Sequence, residues 1–196
     1  MTFNDIKAAI LDWTVDESLE SRVPTFIKLV EAKLNKRMRI QEMVCRAVLV
    51  NPADEEIRYK LPADYLGTRT IIADGNPVEY VTPERMFQGT TLSGTYRYTI
   101  VDQHYVFKAP TTADSEIEIY YYQRIPALTE TGTINWVSES CPDVYIYGAL
   151  AEAYYFQFDE PRAQMWEGKF ETEIELFKDQ SDNARWSGSA MAVRAM

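Results

Sequence analysis

Histidine occurs once in this chain, at His104, and cysteine twice, at Cys45 and Cys141. Two thiols this far apart, with no CxxC spacing, do not make a metal site, and both read as packing thiols. His104 sits in a tyrosine-rich alternating stretch with no ligand-spaced Cys, Asp or Glu cluster. A Ser–His–Asp triad would have to use it, and no serine context supports that. The eight glycines form neither a phosphate-binding loop nor a Gly-x-Ser-x-Gly elbow. Basic charge is also short: 20 Lys and Arg against 30 Asp and Glu leave a net charge of −10. Proteins that hold nucleic acid gain most affinity by neutralising phosphates, so sequence-specific DNA or RNA binding is not expected. No apolar run approaches the roughly 20 residues of a membrane helix. The opening Met1-Thr2-Phe3-Asn4-Asp5 has neither the positive start nor the apolar stretch of a secretion signal. The expectation is no membrane association and a cytosol-like site of synthesis.

What is present suits a globular fold. Hydrophobic residues make up 46% of the 196-residue chain and charged residues 26%, enough for one domain or one core carrying an inserted module. The 13 tyrosines suit either a wet protein–protein surface or a tyrosine-rich β core. Carboxylates cluster at Asp54-Glu55-Glu56 and at Glu171/Glu175. The first lies in a turn and the second spans one exposed helical turn, without the apolar surround that tunes a catalytic acid, so both read as solvated surface. Metal binding by Asp102 and His104 would need further ligands that the sequence does not place. The sequence therefore predicts no catalytic residue, no cofactor and no metal.

Periodicity divides the chain. Thr2 and Asp5 resemble a capping box, and Ile6, Ala9, Ile10 and Trp13 follow at helical spacing. After a break at Thr14-Val15-Asp16, Pro24 opens a second helix with the stripe Phe26, Ile27, Val30, Leu34 and Met38. From about Gln41 the period changes to alternation. Met43 to Val50 reads as a strand with both faces at least partly covered. Hairpin signals fall at Asp74-Gly75-Asn76-Pro77 and Asp102-Gln103, Pro83–Gln88 reads as one helical turn, and Glu116–Tyr122 as the last strand. A proline- and threonine-rich connection from Arg124 to Cys141 leads to a helix opened by Pro142, apolar nearly all round from Val144 to Phe158 and hence central. Asp159-Glu160-Pro161 caps a final helix with the stripe Met165, Trp166, Phe170, Ile174 and Phe177 and an acidic outer face. The predicted fold class is α+β: an antiparallel helical bundle built from residues 1–40 and 124–182, a small antiparallel β module inserted at 41–123, and a tail at 183–196.

Two features read as interfaces. Lys33, Lys36, Arg37 and Arg39 form a basic helix face, complementary in sign to the acidic last helix. The two could meet within the bundle or between neighbouring subunits, and the reading favours neighbours. The tail, with Trp186, Met191, Val193 and Met196, is too small and apolar to form its own core and reads as an assembly element that orders on a partner.

Several motifs, in order, resemble those of phage head-to-tail adaptor (neck) proteins of the tail tubular protein A type. Pro24-Thr25-Phe26-Ile27-Lys28-Leu29-Val30-Glu31-Ala32-Lys33-Leu34-Asn35-Lys36-Arg37-Met38-Arg39 is similar to their "F-I-x-L-A-E-A-x-L-N-R-x-L-R" helix. Leu61-Pro62-Ala63-Asp64-Tyr65-Leu66 is similar to "L-P-x-D-Y-L". Asn135-Trp136 followed by Pro142-Asp143-Val144-Tyr145-Ile146-Tyr147-Gly148-Ala149-Leu150 is similar to "N-W-L…P-D-L-Y-L-Y-G-A-L", and Arg185-Trp186-Ser187-Gly188-Ser189 to a common tail. The resemblance implies a virion protein assembled in the host cytoplasm. It implies a ring, usually of twelve subunits, whose partners are other copies, the portal and a tail or nozzle protein, with DNA passing through. It brings no catalytic residues. The alternatives are a carbohydrate-binding or carbohydrate-acting module of a phage tail, with Tyr96, Tyr98, Tyr105 and Tyr120–Tyr122 as a stacking platform, and a small hydrolase using paired carboxylates.

Overall fold

The computed structural model describes residues 1–50, 57–87, 97–108 and 116–186. The chain is α+β and forms two compact units, one from residues 1–42 and 125–196 and one from 43–124.

The first unit is helical. Helix α1 (Phe3–Thr14) starts at a capping box: the Thr2 side chain accepts from the Asp5 amide, and the Asp5 carboxylate accepts from the Thr2 amide. A single 3₁₀ turn over Glu17–Leu19 leads into α2 (Val23–Arg37), with proline in its first turn. All five residues of the predicted α2 stripe, Phe26, Ile27, Val30, Leu34 and Met38, are buried. Labels α3 and β1 to β8 belong to the second unit. Returning to the first unit, the chain makes a five-residue helix α4 (Trp136–Ser140), then α5 (Pro142–Phe156) and α6 (Glu160–Trp186). The connection read as irregular thus contains a helix. Asn135 caps it, accepting from the Ser138 amide while its own amide donates to the Ser138 hydroxyl. The Asn-x-x-Ser signal was there, but one turn of helix has too few residues to show a period.

Helix α5 is central: α1, α2, α4 and α6 all pack on it. Its buried positions face every direction, from Val144, Tyr145 and Ile146 through Ala149, Leu150 and Ala151 to Ala153 and Tyr154. Gly148 permits the closest approach. A Cβ there would lie 2.8 Å from Val30 Cγ2 on α2 and 3.0 Å from the Phe170 ring on α6. Phe158, read as the end of the α5 stripe, is not part of it. The helix stops at Phe156, and Phe158 turns outward with φ of 60°.

The second unit is a two-sheet β structure. Its strands are β1 (Val44–Val50), β2 (Ile57–Lys60), β3 (Tyr65–Ala73), β4 (Asn76–Pro77), β5 (Glu79–Tyr80), β6 (Arg97–Val101), β7 (His104–Lys108) and β8 (Glu116–Gln123), with a short helix α3 (Pro83–Phe87) between β5 and β6. One sheet has the order β1-β8-β3-β4 and the other β2-β7-β6-β5. The register puts Cys45 opposite Tyr121, Ala47 opposite Ile119 and Leu49 opposite Ile117, so the odd-numbered residues of β1 and β8 share a face. That face packs on Tyr98, Tyr105 and Phe107 of the other sheet in one apolar cluster. Ring contacts such as Tyr65–Tyr105, edge-on at 5.9 Å, fill it. Asp102 and Gln103 both have positive φ (49° and 58°), the backbone of a two-residue β-hairpin turn between β6 and β7.

One expectation needs correction here. The module is not wholly antiparallel: β5 and β6 pair in parallel, and the connection between them, residues 81–96, is long enough for the crossover that a parallel pair needs. One face of β1 is only partly covered. Val48 is 43% exposed, and Arg46 points outward to an ion pair with Glu118.

Candidate functional site

His104 Nδ1 lies 2.6 Å from the Asp102 carbonyl within the hairpin turn. Cys45 and Cys141 are free thiols, and burial pushes the Cys141 thiol up, away from nucleophilic character. Glu171 pairs with Arg37, and Glu175 with Lys178. The Asp54-Glu55-Glu56 run lies outside the described residues. Among the described residues no group of three His, Cys, Asp or Glu side chains could hold a metal ion. Nor is any helix there long and apolar enough to cross a membrane.

One buried carboxylate was not anticipated. Glu31, on α2, is 8% exposed; its Oε1 accepts from the Leu128 amide at 2.6 Å and from the Tyr145 hydroxyl at 3.3 Å. Asn135 Nδ2 in turn donates to the Tyr145 hydroxyl at 2.8 Å and to the Pro126 carbonyl at 2.7 Å. Burial raises the Glu31 pKa, partly offset by the hydrogen bonds from Leu128 and Tyr145. The group faces a backbone amide and a tyrosine rather than a cleft, so what it does is fasten residues 125–135 to α2 and α5. In sequence Glu31 looked like one more polar residue beside an apolar stripe, and nothing marked it as inward-facing.

The basic face of α2 is engaged within the chain. Lys33 Nζ lies 2.8 Å from Glu152 Oε1 on α5 and 3.3 Å from Glu167 Oε1 on α6. Burial works against the Lys33 charge, but the two carboxylates outweigh it and the pKa rises. Tyr155 donates to the other oxygen of Glu167 at 2.6 Å, and Arg37 pairs with Glu171. Arg39 donates to the Asn35 and Met38 carbonyls at the end of α2, where a cation offsets the helix dipole. Within the chain, then, Lys33 pairs with acidic residues of α5 and α6, and Arg37 with one of α6. The reason is packing: both α2 and α6 lie against α5, which brings their charged edges together. Lys36 is exposed. Reversing Lys36 and Arg37 to glutamate together should lower the stability of the isolated subunit by no more than about 1 kcal/mol, since such exposed pairs are weak. The loss should shrink at 1 M salt. Urea melts at low and high salt check this, and an unchanged low-salt midpoint would rule the Arg37–Glu171 pair out as a stabiliser.

Of the predicted tail, residues 183–186 continue α6, which runs to Trp186. After Gly168 the helix meets no Gly or Pro before Gly188, and each added residue gains a backbone bond once a helix is established. The Trp186 side chain and Met191, Val193 and Met196 lie outside the described residues. Of the tyrosines read as a stacking platform, Tyr98, Tyr105 and Tyr121 are buried between the sheets, while Tyr120 and Tyr122 are half-buried. Tyr96 lies outside the described residues.

The sequence reading missed the exposed apolar surface of the helical unit. Val15 is 88% exposed and Phe158 93%, the two most exposed large apolar side chains among the described residues. Trp13, half exposed and two residues before Val15, lies against Trp166 with ring centres 5.4 Å apart and the planes tilted by 42°. Large apolar side chains turned outward in this way are a feature of surfaces that bind other proteins. The family comparison agrees with that reading. The sequence profile of the SU10 adaptor protein family matches residues 1–194, and the chain belongs to this family of adaptor proteins of phage head-tail connectors. No curated protein matches it.

Proposed function

We propose that this chain is a structural subunit of the phage neck, a ring between portal and tail that lines part of the DNA channel. The observation that carries the reading is the family match across residues 1–194. The exposed apolar side chains of the helical unit support it, because in a ring they would be covered by other proteins. On this reading the helices packed about α5 form an antiparallel bundle. The β module at 41–123 is an insertion in the helical unit's sequence, and the ring, twelve-membered as the resemblance implies, has the portal on one side and a tail or nozzle protein on the other. The subunit carries out no chemistry. Its net charge of −10 favours a channel that repels DNA phosphates, so that the genome slides without sticking. Residues after Trp186, with Met191, Val193 and Met196, are the segment that docks on the portal or on a neighbouring subunit, where burial contributes roughly 25 cal/mol per Å² of apolar area.

Native mass spectrometry of the subunit mixed with its portal tests this. The expected species is a closed adaptor ring on the portal, and a subunit that stays monomeric and does not bind portal overturns the reading. Ending the chain after Ser187 should weaken portal binding at least tenfold. Unchanged affinity would remove the tail as the docking element while leaving the adaptor reading intact.

A further inference from the structure

Three separate pieces of chain meet within the β unit. The Leu61 amide donates to the Gln103 carbonyl at 2.8 Å, which sets the end of β2 beside the β6–β7 turn. The Arg124 amide donates to the Asp64 carbonyl at 2.7 Å, which brings in the chain just past β8. Between them lies a cleft of about 610 Å³. Its apolar wall comes from Leu61, Pro62, Ala63 and Tyr65, and its polar wall from Lys60, Gln103 and Arg124. The motif Leu61-Pro62-Ala63-Asp64-Tyr65-Leu66, to which the adaptor reading assigns no role, thus supplies most of a cleft.

The charge of this cleft has one sign. Lys60 and Arg124 are both exposed, and neither has an ion-pair partner among the described residues. Other cations of the same unit are matched: Arg46, for example, pairs with Glu118 at 3.1 Å. Among the described residues no carboxylate lines the cleft. Asp64, the nearest in sequence, instead accepts from the Tyr121 hydroxyl at 3.3 Å. In a chain with a net charge of −10, two cations facing one cleft without an acid make a place for an anion.

Gln103 gives an independent sign of use. It holds φ of 58° at the second position of a two-residue hairpin turn, where glycine is the common choice. Its side chain is exposed, so burial does not offset that strain. Strain kept without a gain in packing points to function, and the Gln103 amide is a further donor beside the two cations.

We propose that this cleft binds a carboxylate-bearing segment of a partner protein. Arg124 and Lys60 pair with Asp or Glu side chains, Gln103 donates to them, and their apolar stems lie against Leu61, Pro62 and Tyr65. Nucleic acid is the other anion to weigh. A surface that holds DNA gathers roughly 6–10 phosphate contacts. Two cations on an acidic chain fall well short of that, and the apolar wall suits side-chain stems better than phosphodiesters.

Rhodamine-labelled hexaglutamate, titrated with the full chain at low salt, tests this by fluorescence anisotropy. The wild type should bind, and the affinity should fall as salt rises. Lys60→Glu with Arg124→Glu should weaken binding at least tenfold. Lys28→Glu with Lys36→Glu makes the same change in net charge on exposed residues of the helical unit and should weaken it less than threefold. Equal losses in the two pairs overturn the proposal, as does a wild type that does not bind hexaglutamate. Hexathymidylate that binds more tightly than hexaglutamate, and loses affinity in the cleft pair, makes the ligand nucleic acid and overturns it too. Gln103→Gly separates binding from folding. Glycine accepts the left-handed backbone, so the Tm should not fall, while hexaglutamate affinity should drop about threefold or more. Unchanged affinity in that variant overturns the site as drawn. None of these assays needs a ring or a portal, so their failure leaves the adaptor reading to its own test.

Discussion

Replacing Gly148 by alanine is expected to lower the stability of this protein by about 1–3 kcal/mol, a fall in Tm of roughly 3–10 °C. In an open helix the same change is stabilising by up to about 1 kcal/mol, because alanine is the best helix former and glycine among the poorest. The sign reverses at Gly148 because α5 meets two helices there. The added methyl would stand 2.8 Å from Val30 Cγ2 and 3.0 Å from Phe170 Cδ2 and Cε2, inside normal van der Waals separation. Val30 and Phe170 are both fully buried, so neither can swing into solvent to relieve the clash. Gly168 is the internal control. It lies on α6 with nothing within 4 Å of its would-be Cβ, and Gly168→Ala should raise the Tm. Combining Gly148→Ala with Val30→Ala should recover part of the loss, since removing Cγ2 vacates the tighter approach. Strict additivity of the two losses in a double-mutant cycle would sink the steric explanation.

Glu31→Leu is expected to cost about 2–4 kcal/mol, because it leaves the Leu128 amide and the Tyr145 hydroxyl facing an apolar group in the interior. Glu31→Gln should be nearly neutral, since an amide oxygen still accepts from both and no charge is desolvated. The pH dependence follows from the raised pKa. With the folded value above the ordinary 4.5 of the unfolded chain, the folded state binds the proton first. The contribution of Glu31 to stability therefore grows as pH falls from neutral through the folded pKa towards 4.5, and is smallest above the folded pKa. Asp5, Asp16, Glu84, Glu118 and Glu167 are shifted the other way by hydrogen bonds or ion pairs and lose stability on acidification. The wild type should thus be read against Glu31→Gln, and their stability difference should move in favour of the wild type between pH 7 and 5. A difference that is flat with pH would mean that Glu31 is not the titrating group.

Local signals determined much of this fold. The capping box at Thr2 and Asp5, the 3.6-residue stripe of α2, the all-round apolar α5 and the paired positive-φ turn at Asp102-Gln103 were legible because each depends on residues a few positions apart. The α+β class and the absence of recognisable catalytic motifs followed from the same short-range reading. What remained hidden depends on residues far apart in the chain. The inward turn of Glu31 is decided by Leu128 and Tyr145, each about a hundred residues away. The engagement of Lys33 and Arg37 within the chain follows from α2 and α6 both packing on α5, where sign complementarity alone allowed either a neighbour or the same chain. The parallel β5–β6 pair arose from a crossover that no local period records. Phe158 and Val15 read as ordinary apolar residues, and only the backbone turn at each helix end, with nothing folded over it, decided that they face outward. Sequence by itself determined the elements and the family, because those rest on short-range spacing and ordered motifs. Tertiary packing alone decided which polar groups are buried and which apolar groups are exposed, because burial is a property of what the rest of the chain places on top.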